Sequence, residues 1–391
     1  MQYEQIFTEQ DFLDFCDSVA DAEFIAFDTE FVSEDSYQPD LCLIQVAVGQ
    51  RYFIIDPHAI EDVTPFWELI ASPGHQTIVH AGREEFRFCY NAVNQTPSDL
   101  FDIQLASAFV GLEYPAAYGT LVQRLVGKTL KKGETRTNWR RRPLSERQLD
   151  YAMQDILYLK PIRDELIQRL DQLDRRQWIV DEMAAWQKQL IASETVEPWR
   201  RVSGVSGLAP RSLAVVREIW TWREGEARSR NRPPRRVLRD DLVVELAKRQ
   251  TADVKRIRAL RGMERRDLQR HHETLAECVQ RALDLDRDDC PLPFQSRSLP
   301  QVSVLAQFLS TALNSICRSA QVAPGLVGTT QDVREFIATK LNLNNGSPKE
   351  PLVLTEGWRG EIVGSELEKL LHGERSIRVD NPRSDNPLVF E

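Results

Sequence analysis

Two pairs of side chains in the first 155 residues have the types and spacing to hold divalent cations. Asp28 and Glu30 lie in EFIAFDTEF, an apolar run of β-favouring residues that reads as a strand. Alternate residues of a strand share a face, so the two carboxylates project side by side. Tyr151 and Asp155 lie in SERQLDYAMQDILYLKPIRDELIQRL, which reads as a helix. Helical residues four apart stack on one face. Clustered carboxylates repel one another unless a cation neutralises them, which leaves such a set with little structural rationale of its own. The chemistry it suits is phosphodiester hydrolysis. That reaction needs an activated water, neutralised phosphoryl oxygens and a stabilised leaving alkoxide, and two divalent ions about 3.5–4 Å apart can meet all three needs. Hard ions such as Mg²⁺ and Mn²⁺ take oxygen ligands, which favours Asp and Glu over His or Cys. Taken singly, D-x-E also describes a polar strand face and Y-x-x-x-D a solvated helix surface. Their joint occurrence is the stronger signal.

The elements that must position these residues alternate between strand and helix. Strands are expected at EFIAFDTEF, LCLIQVAVG and RYFIID, the last two joined by a short Gly-Gln turn in an antiparallel meander. A helix near Val63–Ile70, a strand at TIVHA, a helix from Arg83, a short strand near Leu100–Ile103 and helices out to about Leu190 follow. This order indicates an α/β domain with a mixed sheet, not a regular βαβ repeat. Proline, glycine and serine mark a boundary at residues 196–212. A helical segment then runs to about Asp286, and after the stretch DRDDCPLPFQSRSLPQ a second helical segment follows. The division expected is 1–195, 208–288 and 299–380.

The net charge of −9 argues at first against a polyanionic partner, but its distribution reverses that. Residues 200–283 carry 21 Lys and Arg against 11 Asp and Glu, leaving 29 against 48 elsewhere. A basic module flanked by acidic segments fits nucleic-acid binding or, more plainly, a solvated helical surface. The six cysteines form no C-x-x-C pair, which suits reduced thiols in a cytoplasmic protein. Neither a signal peptide nor a membrane span is expected. LVGKTL imitates the end of a P-loop, but Val122 stands where that motif needs glycine, so no nucleotide cofactor is expected.

FDTEF, HAGREEF, LFDIQLAS, TRTNWRRRPLSERQLDYAMQDILYL and the helical modules after them resemble bacterial ribonuclease D. That family belongs to the DEDD superfamily of 3′→5′ exonucleases, in the subgroup with tyrosine in the last motif. The resemblance implies an α/β ribonuclease H-like exonuclease domain with a mixed sheet, an HRDC domain and a divergent HRDC-like unit, the last two small and all-α. It also implies a set of roles. Asp28, Glu30 and Asp155 would bind two ions, Mg²⁺ or Mn²⁺. Glu85, where the family has aspartate, would assist, with Glu84 as a substitute. Tyr151 would orient the attacking water as a neutral phenol, since an ordinary tyrosine is protonated at neutral pH. The implied activity is release of nucleoside 5′-monophosphates from RNA 3′ ends, with tRNA precursors or similar small structured RNAs as substrates. The competing readings are an RNA-binding protein with a decayed centre, motivated by Glu85, and a DNA 3′→5′ exonuclease.

Around the motifs, His80 reads as a packing residue and Asp102 as a cap or a support for the ligands. Lys131, Lys132, Arg136, Arg140, Arg141 and Arg142 are candidates to meet phosphates. Trp139 is placed either to stack on a base or to dock the catalytic helix. In the basic module Arg230, Arg235 and Arg236, with Arg228, Arg232 and Arg239 nearby, are candidates to track an RNA backbone. Trp220 and Trp222 read as core or interface.

Overall fold

The computed structural model describes residues 2–130, 137–293, 299–343 and 352–391. Lys131, Lys132 and Arg136 lie outside the described residues. Contacts divide the chain into two compact units: Met1–Glu30, Cys42–Gln187 and Ser298–Glu391 form the first, Phe31–Leu41 and Lys188–Arg297 the second.

The first unit is built on a six-stranded sheet of β1 (Glu4–Ile6), β2 (Phe24–Val32), β3 (Asp40–Val48), β4 (Arg51–Ile55), β5 (Gln76–Val79) and β6 (Leu100–Asp102), in the order β1-β4-β3-β2-β5-β6. β3 and β4 form the expected antiparallel hairpin, closing at the Val48–Arg51 pair. Gly49 takes φ +61° there, a left-handed conformation that glycine adopts without a Cβ penalty. β1 pairs parallel to β4, β2 to β5 and β5 to β6, so the sheet is mixed as expected. β1 and the helix after it, α1 (Glu9–Val19), were absent from the expected element order. A three-residue strand is too short to declare a period.

Helices α2 (Thr64–Ala71) and α3 (Arg83–Val93) pack against each other. The Phe27 ring of β2 meets Phe66 and Trp67 of α2 at 5.4 and 6.0 Å, which fixes the face of β2 that α2 covers. α4 (Ile103–Ala108) follows β6 directly. Then come α5 (Glu146–Leu157), α6 (Leu159–Gln172) and α7 (Arg176–Thr195). Ser145 caps α5 through a reciprocal pair with Gln148, satisfying orphan amides at its N-terminus.

The second unit gathers α8 (Pro210–Ser229), α9 (Asp240–Arg249) and α10 (His272–Asp284) around a core that includes Leu213, Val216, Ile219, Leu246, Leu275 and Val279. Trp220 and Trp222 pack on this core, as expected of them. A buried Arg223–Asp240 pair at 2.7 Å ties α8 to α9.

Helices α11 (Pro300–Ser319), α12 (Thr330–Lys340) and α13 (Ser365–Leu371) belong to the same unit as the sheet. Arg175, between α6 and α7, explains part of that. Its guanidinium donates to the carbonyls of Phe109 (2.7 Å), Gln321 (2.9 Å) and Ala320. Glu182 of α7 takes both arms of Arg359 at 2.7 Å and the Trp358 indole N–H at 3.0 Å. Trp358 in turn stands edge-on to Phe109 at 4.8 Å. Among the described residues no helix is long and apolar enough to cross a membrane, and all six cysteines are free thiols.

Candidate active site

β2 presents Asp28 and Glu30 on the face opposite Phe27, by strand alternation. α5 brings Tyr151 and Asp155 to the same place. Asp28, Glu30 and Asp155 each offer a carboxylate oxygen, all within 4.8 Å of one another, in a set able to hold a metal ion. Residues 125 positions apart thus meet, as the two spacings required.

The electrostatics show what such crowding costs. Burial, then the charge of Asp155, pushes Asp28 up to about 8. Burial, then Asp28, Asp155 and Glu85, pushes Glu30 up to about 9. Glu85 rises to about 8 through burial and Asp28, against the pull of a Thr29 hydrogen bond. Burial lifts Asp155 to about 7, against the pull of a hydrogen bond from Tyr151. Tyr151 itself is raised by burial and then by Asp155, Glu30 and Asp28, so its phenol stays protonated at neutral pH. Without a counter-cation these acids retain protons near neutrality; a divalent cation supplies the charge that lets them ionise together. Four carboxylates, of which Glu85 is buried and the other three half-buried, with no soft ligand among them, fit a hard ion.

Glu85 enters from α3. It is 6% exposed and accepts a 2.6 Å hydrogen bond from the Thr29 hydroxyl. Glu84 instead pairs with Arg87 on the outer side of the helix, so the substitute role considered for it falls to Glu85. The start of α3 is tightly specified. Asp102 caps α4 through Gln104 N (2.8 Å) and also accepts from Ala81 N (3.0 Å) and Gly82 N (2.9 Å). A Cβ on Gly82 would lie 2.3 Å from Val79 Cγ2, which only glycine avoids. Asp102 therefore acts as the cap and support expected of it. His80 bonds the Ala116 carbonyl at 3.0 Å and packs on Tyr118, the structural role expected.

Near the centre, the stacking reading of Trp139 and the phosphate reading of Arg142 need correction. Trp139 is 4% exposed with its ring 6.1 Å from Tyr151, so it docks α5 and has no free face for a base. Arg142 is not a phosphate contact. Its guanidinium forks onto Asp56 and donates to the carbonyls of Trp139 (2.6 Å) and Cys42 (2.7 Å). A basic run beside an acidic centre reads as an anion site, and the partners lie 86 and 100 residues away, out of reach of any spacing rule. Arg141 is exposed and Arg140 half-buried.

Tyr118 was not foreseen. Its hydroxyl accepts from Tyr158 N at 3.1 Å, where α5 breaks into α6. It lies near enough to Asp155 and Asp28 for their charges to raise its pKa further after burial. In the second unit Arg230 pairs with Glu226, Arg235 bonds Asp240 at 3.1 Å with its side chain 70% exposed, and Arg236 is exposed.

Comparison with known proteins matches this geometry to named relatives. A family model described as 3′-5′ exonuclease matches residues 3–171, and an HRDC domain model matches 212–279. The chain is 31% identical to the ribonuclease D of Bartonella henselae over 93% of its own length and 89% of the relative's. It is 32% identical to the ribonuclease D of Pseudomonas paraeruginosa, over 88% and 91%. The crystal structure of Escherichia coli RNase D, described as an exoribonuclease involved in structured RNA processing, superposes with a TM-score of 0.82 at 28% identity, covering 95% of this chain and 99% of that one. With an acid cluster on an exonuclease sheet and relatives that match nearly its whole length, the chain belongs to the ribonuclease D family of 3′→5′ exoribonucleases.

Proposed function

We propose that this exoribonuclease uses Asp28, Glu30 and Asp155 as ligands of two divalent ions, Mg²⁺ or Mn²⁺, with Glu85 completing the set. The observation that carries the reading is the convergence of three carboxylate oxygens within 4.8 Å. The ions, when bound, supply a water of lowered pKa and neutralise charge on the scissile phosphate. Tyr151 keeps its proton and gives it to Asp155 in a hydrogen bond, leaving the phenolic oxygen to accept from the attacking water and aim it.

The substrates we assign are tRNA precursors and other small structured RNAs with single-stranded 3′ ends. The part that Escherichia coli RNase D plays in structured RNA processing supports this class. The exposed arginines Arg141, Arg235 and Arg236, with Arg140 and Arg230, are the side chains proposed to meet the backbone, a contact that carries no base preference. The helices between 299 and 380 are proposed as a divergent HRDC-like unit, and the compartment as the cytoplasm. The test is product analysis on 3′-labelled RNA with a folded tRNA-like body. Asp155→Asn is expected to abolish release of nucleoside 5′-monophosphates, and Tyr151→Phe to slow it about 100-fold, through loss of the hydroxyl that aims the water. Both variants should still bind the RNA. Full activity in Asp155→Asn rejects the assignment.

A further inference from the structure

We propose that Thr29 is a positioning residue: its hydroxyl reaches from the back of β2 to hold Glu85 in place as the fourth acid of the centre. The inference rests on the metal-site reading above and adds a residue to it.

Strand alternation splits the acids. Asp28 and Glu30 share one face of β2, where their oxygens meet those of Asp155. Thr29, between them, must point the other way, to the side where Phe27 meets α2. α3 packs beside α2 and delivers Glu85 from that side. Glu85 therefore comes to the cluster around the strand, not across from it, and stands outside the three-acid set. What holds it is the Thr29 bond, 2.6 Å long, between side chains only 5% and 6% exposed. Hydrogen bonds to a carboxylate at such distances are charge-assisted and strong. They also fix a side chain that otherwise rotates about three bonds and is repelled by Asp28. Helix α3 supplies no alternative, because Glu84 faces Arg87. An aspartate at 85 would fall short of the Thr29 hydroxyl by about one C–C bond, roughly 1.5 Å, so the hydroxyl and the longer acid work as a pair.

The experiment compares Thr29→Val, which keeps the shape and loses the hydroxyl, with Thr29→Ser, which keeps the hydroxyl. Each is made in the parent chain and in Glu85→Asp. Turnover on RNA and Mn²⁺ binding by calorimetry are measured, with circular dichroism as the check on folding. Loss of a partner that orients a ligand typically costs about 10–100-fold in metal affinity or activity. Thr29→Val should therefore lower kcat about tenfold with KM unchanged and weaken Mn²⁺ binding, while Thr29→Ser stays within about twofold of the parent. In Glu85→Asp, whose shorter acid no longer reaches the hydroxyl, Thr29→Val should add little. Parent-like kcat and Mn²⁺ binding in Thr29→Val overturn the proposal. So does an equal loss in Thr29→Ser, which would trace the effect to packing, or an equal loss in the Glu85→Asp background. A harmless Thr29→Val beside an inactive Asp155→Asn sinks only the role of Thr29; an active Asp155→Asn sinks the metal-site reading itself.

Discussion

Replacing Asp28 with asparagine should make the metal-free protein more stable while removing its response to divalent ions. In the folded chain the Asp28 carboxyl is raised from 3.8 to about 8, first by burial and then by Asp155. The native state thus binds more protons than the unfolded state between those values. By linkage, stability is greatest below about pH 4, falls as pH climbs, and levels off once the folded group has ionised above about 8. A rise of that size corresponds to at most ~6 kcal/mol for one group, at ~1.4 kcal/mol per tenfold. The penalty is shared among neighbours that trade protons, and a buried amide in its place forgoes some hydrogen bonds at a cost of ~1–3 kcal/mol. A net gain of ~1–3 kcal/mol remains, or roughly 1–4 °C in Tm for a chain of this size.

Thermal unfolding followed by circular dichroism in EDTA at pH 5 and pH 8.5 measures this. The parent protein should lose stability between the two pH values and regain it with Mn²⁺. An ion present at about 100 times its dissociation constant adds ~2.7 kcal/mol. Asp28→Asn should show a flatter pH dependence, a higher Tm in EDTA at pH 8.5 and no gain from Mn²⁺. A variant that is less stable than the parent in EDTA at pH 8.5 and still gains from Mn²⁺ would refute the claim that these acids are held together against their own repulsion.

Three further outcomes follow from the same geometry. Because Asp28, Glu30, Glu85 and Asp155 sit at about 7 to 9, ions must displace protons to bind, so Mn²⁺ affinity measured by calorimetry should rise steadily from pH 6 to 9 with proton release; an affinity independent of pH contradicts this. Arg175→Ala orphans the carbonyls of Phe109, Ala320 and Gln321, and should cost ~2–4 kcal/mol in urea unfolding; a change under about 0.5 kcal/mol, within the usual range for a surface substitution, shows that the strap is idle. Arg235→Ala combined with Arg236→Ala should raise KM for RNA several-fold and shallow the salt dependence by about two phosphate contacts, leaving kcat alone; an unchanged salt slope removes them from the RNA path.

What the sequence disclosed about this site depended on distance along the chain. Asp28 with Glu30 and Tyr151 with Asp155 were legible because each pair lies within one element and a strand or helix period places it. Asp102 was legible as a cap because it stands directly before the helix it starts. Trp139 was half legible, docking of the catalytic helix being one of its two readings, and Arg142 and Tyr118 were not. Arg142 finds its carboxylate 86 residues away and Tyr118 its amide 40 residues away. No local pattern separates a guanidinium that braces a loop from one that awaits a phosphate. Thr29 was hidden for a different reason. It is flanked by the two acids that draw attention, and alternation turns it away from them to a partner 56 residues on.

These hidden contacts answer a question that the acids raise. Four carboxylates that burial, helped in Asp28, Glu30 and Glu85 by neighbouring acids, raises to about 7–9 cannot assemble by mutual attraction, so something else must bring them together. Each helix that carries an acid is fixed at a neighbouring point by a bond that does not involve the centre. Asp102 grips the turn into α3. Arg142 binds the loop before α5 to Asp56 and to the Cys42 carbonyl. Ser145 and Gln148 close the start of α5, and Tyr118 takes the amide at its end. Preorganised in this way, the site has already met the repulsion during folding, and the ions proposed here would relieve it. The same logic explains why Trp139 is buried against Tyr151. A phenol proposed to position water is useful only if its ring cannot swing, and an indole packed beside it restrains it more firmly than one awaiting a base.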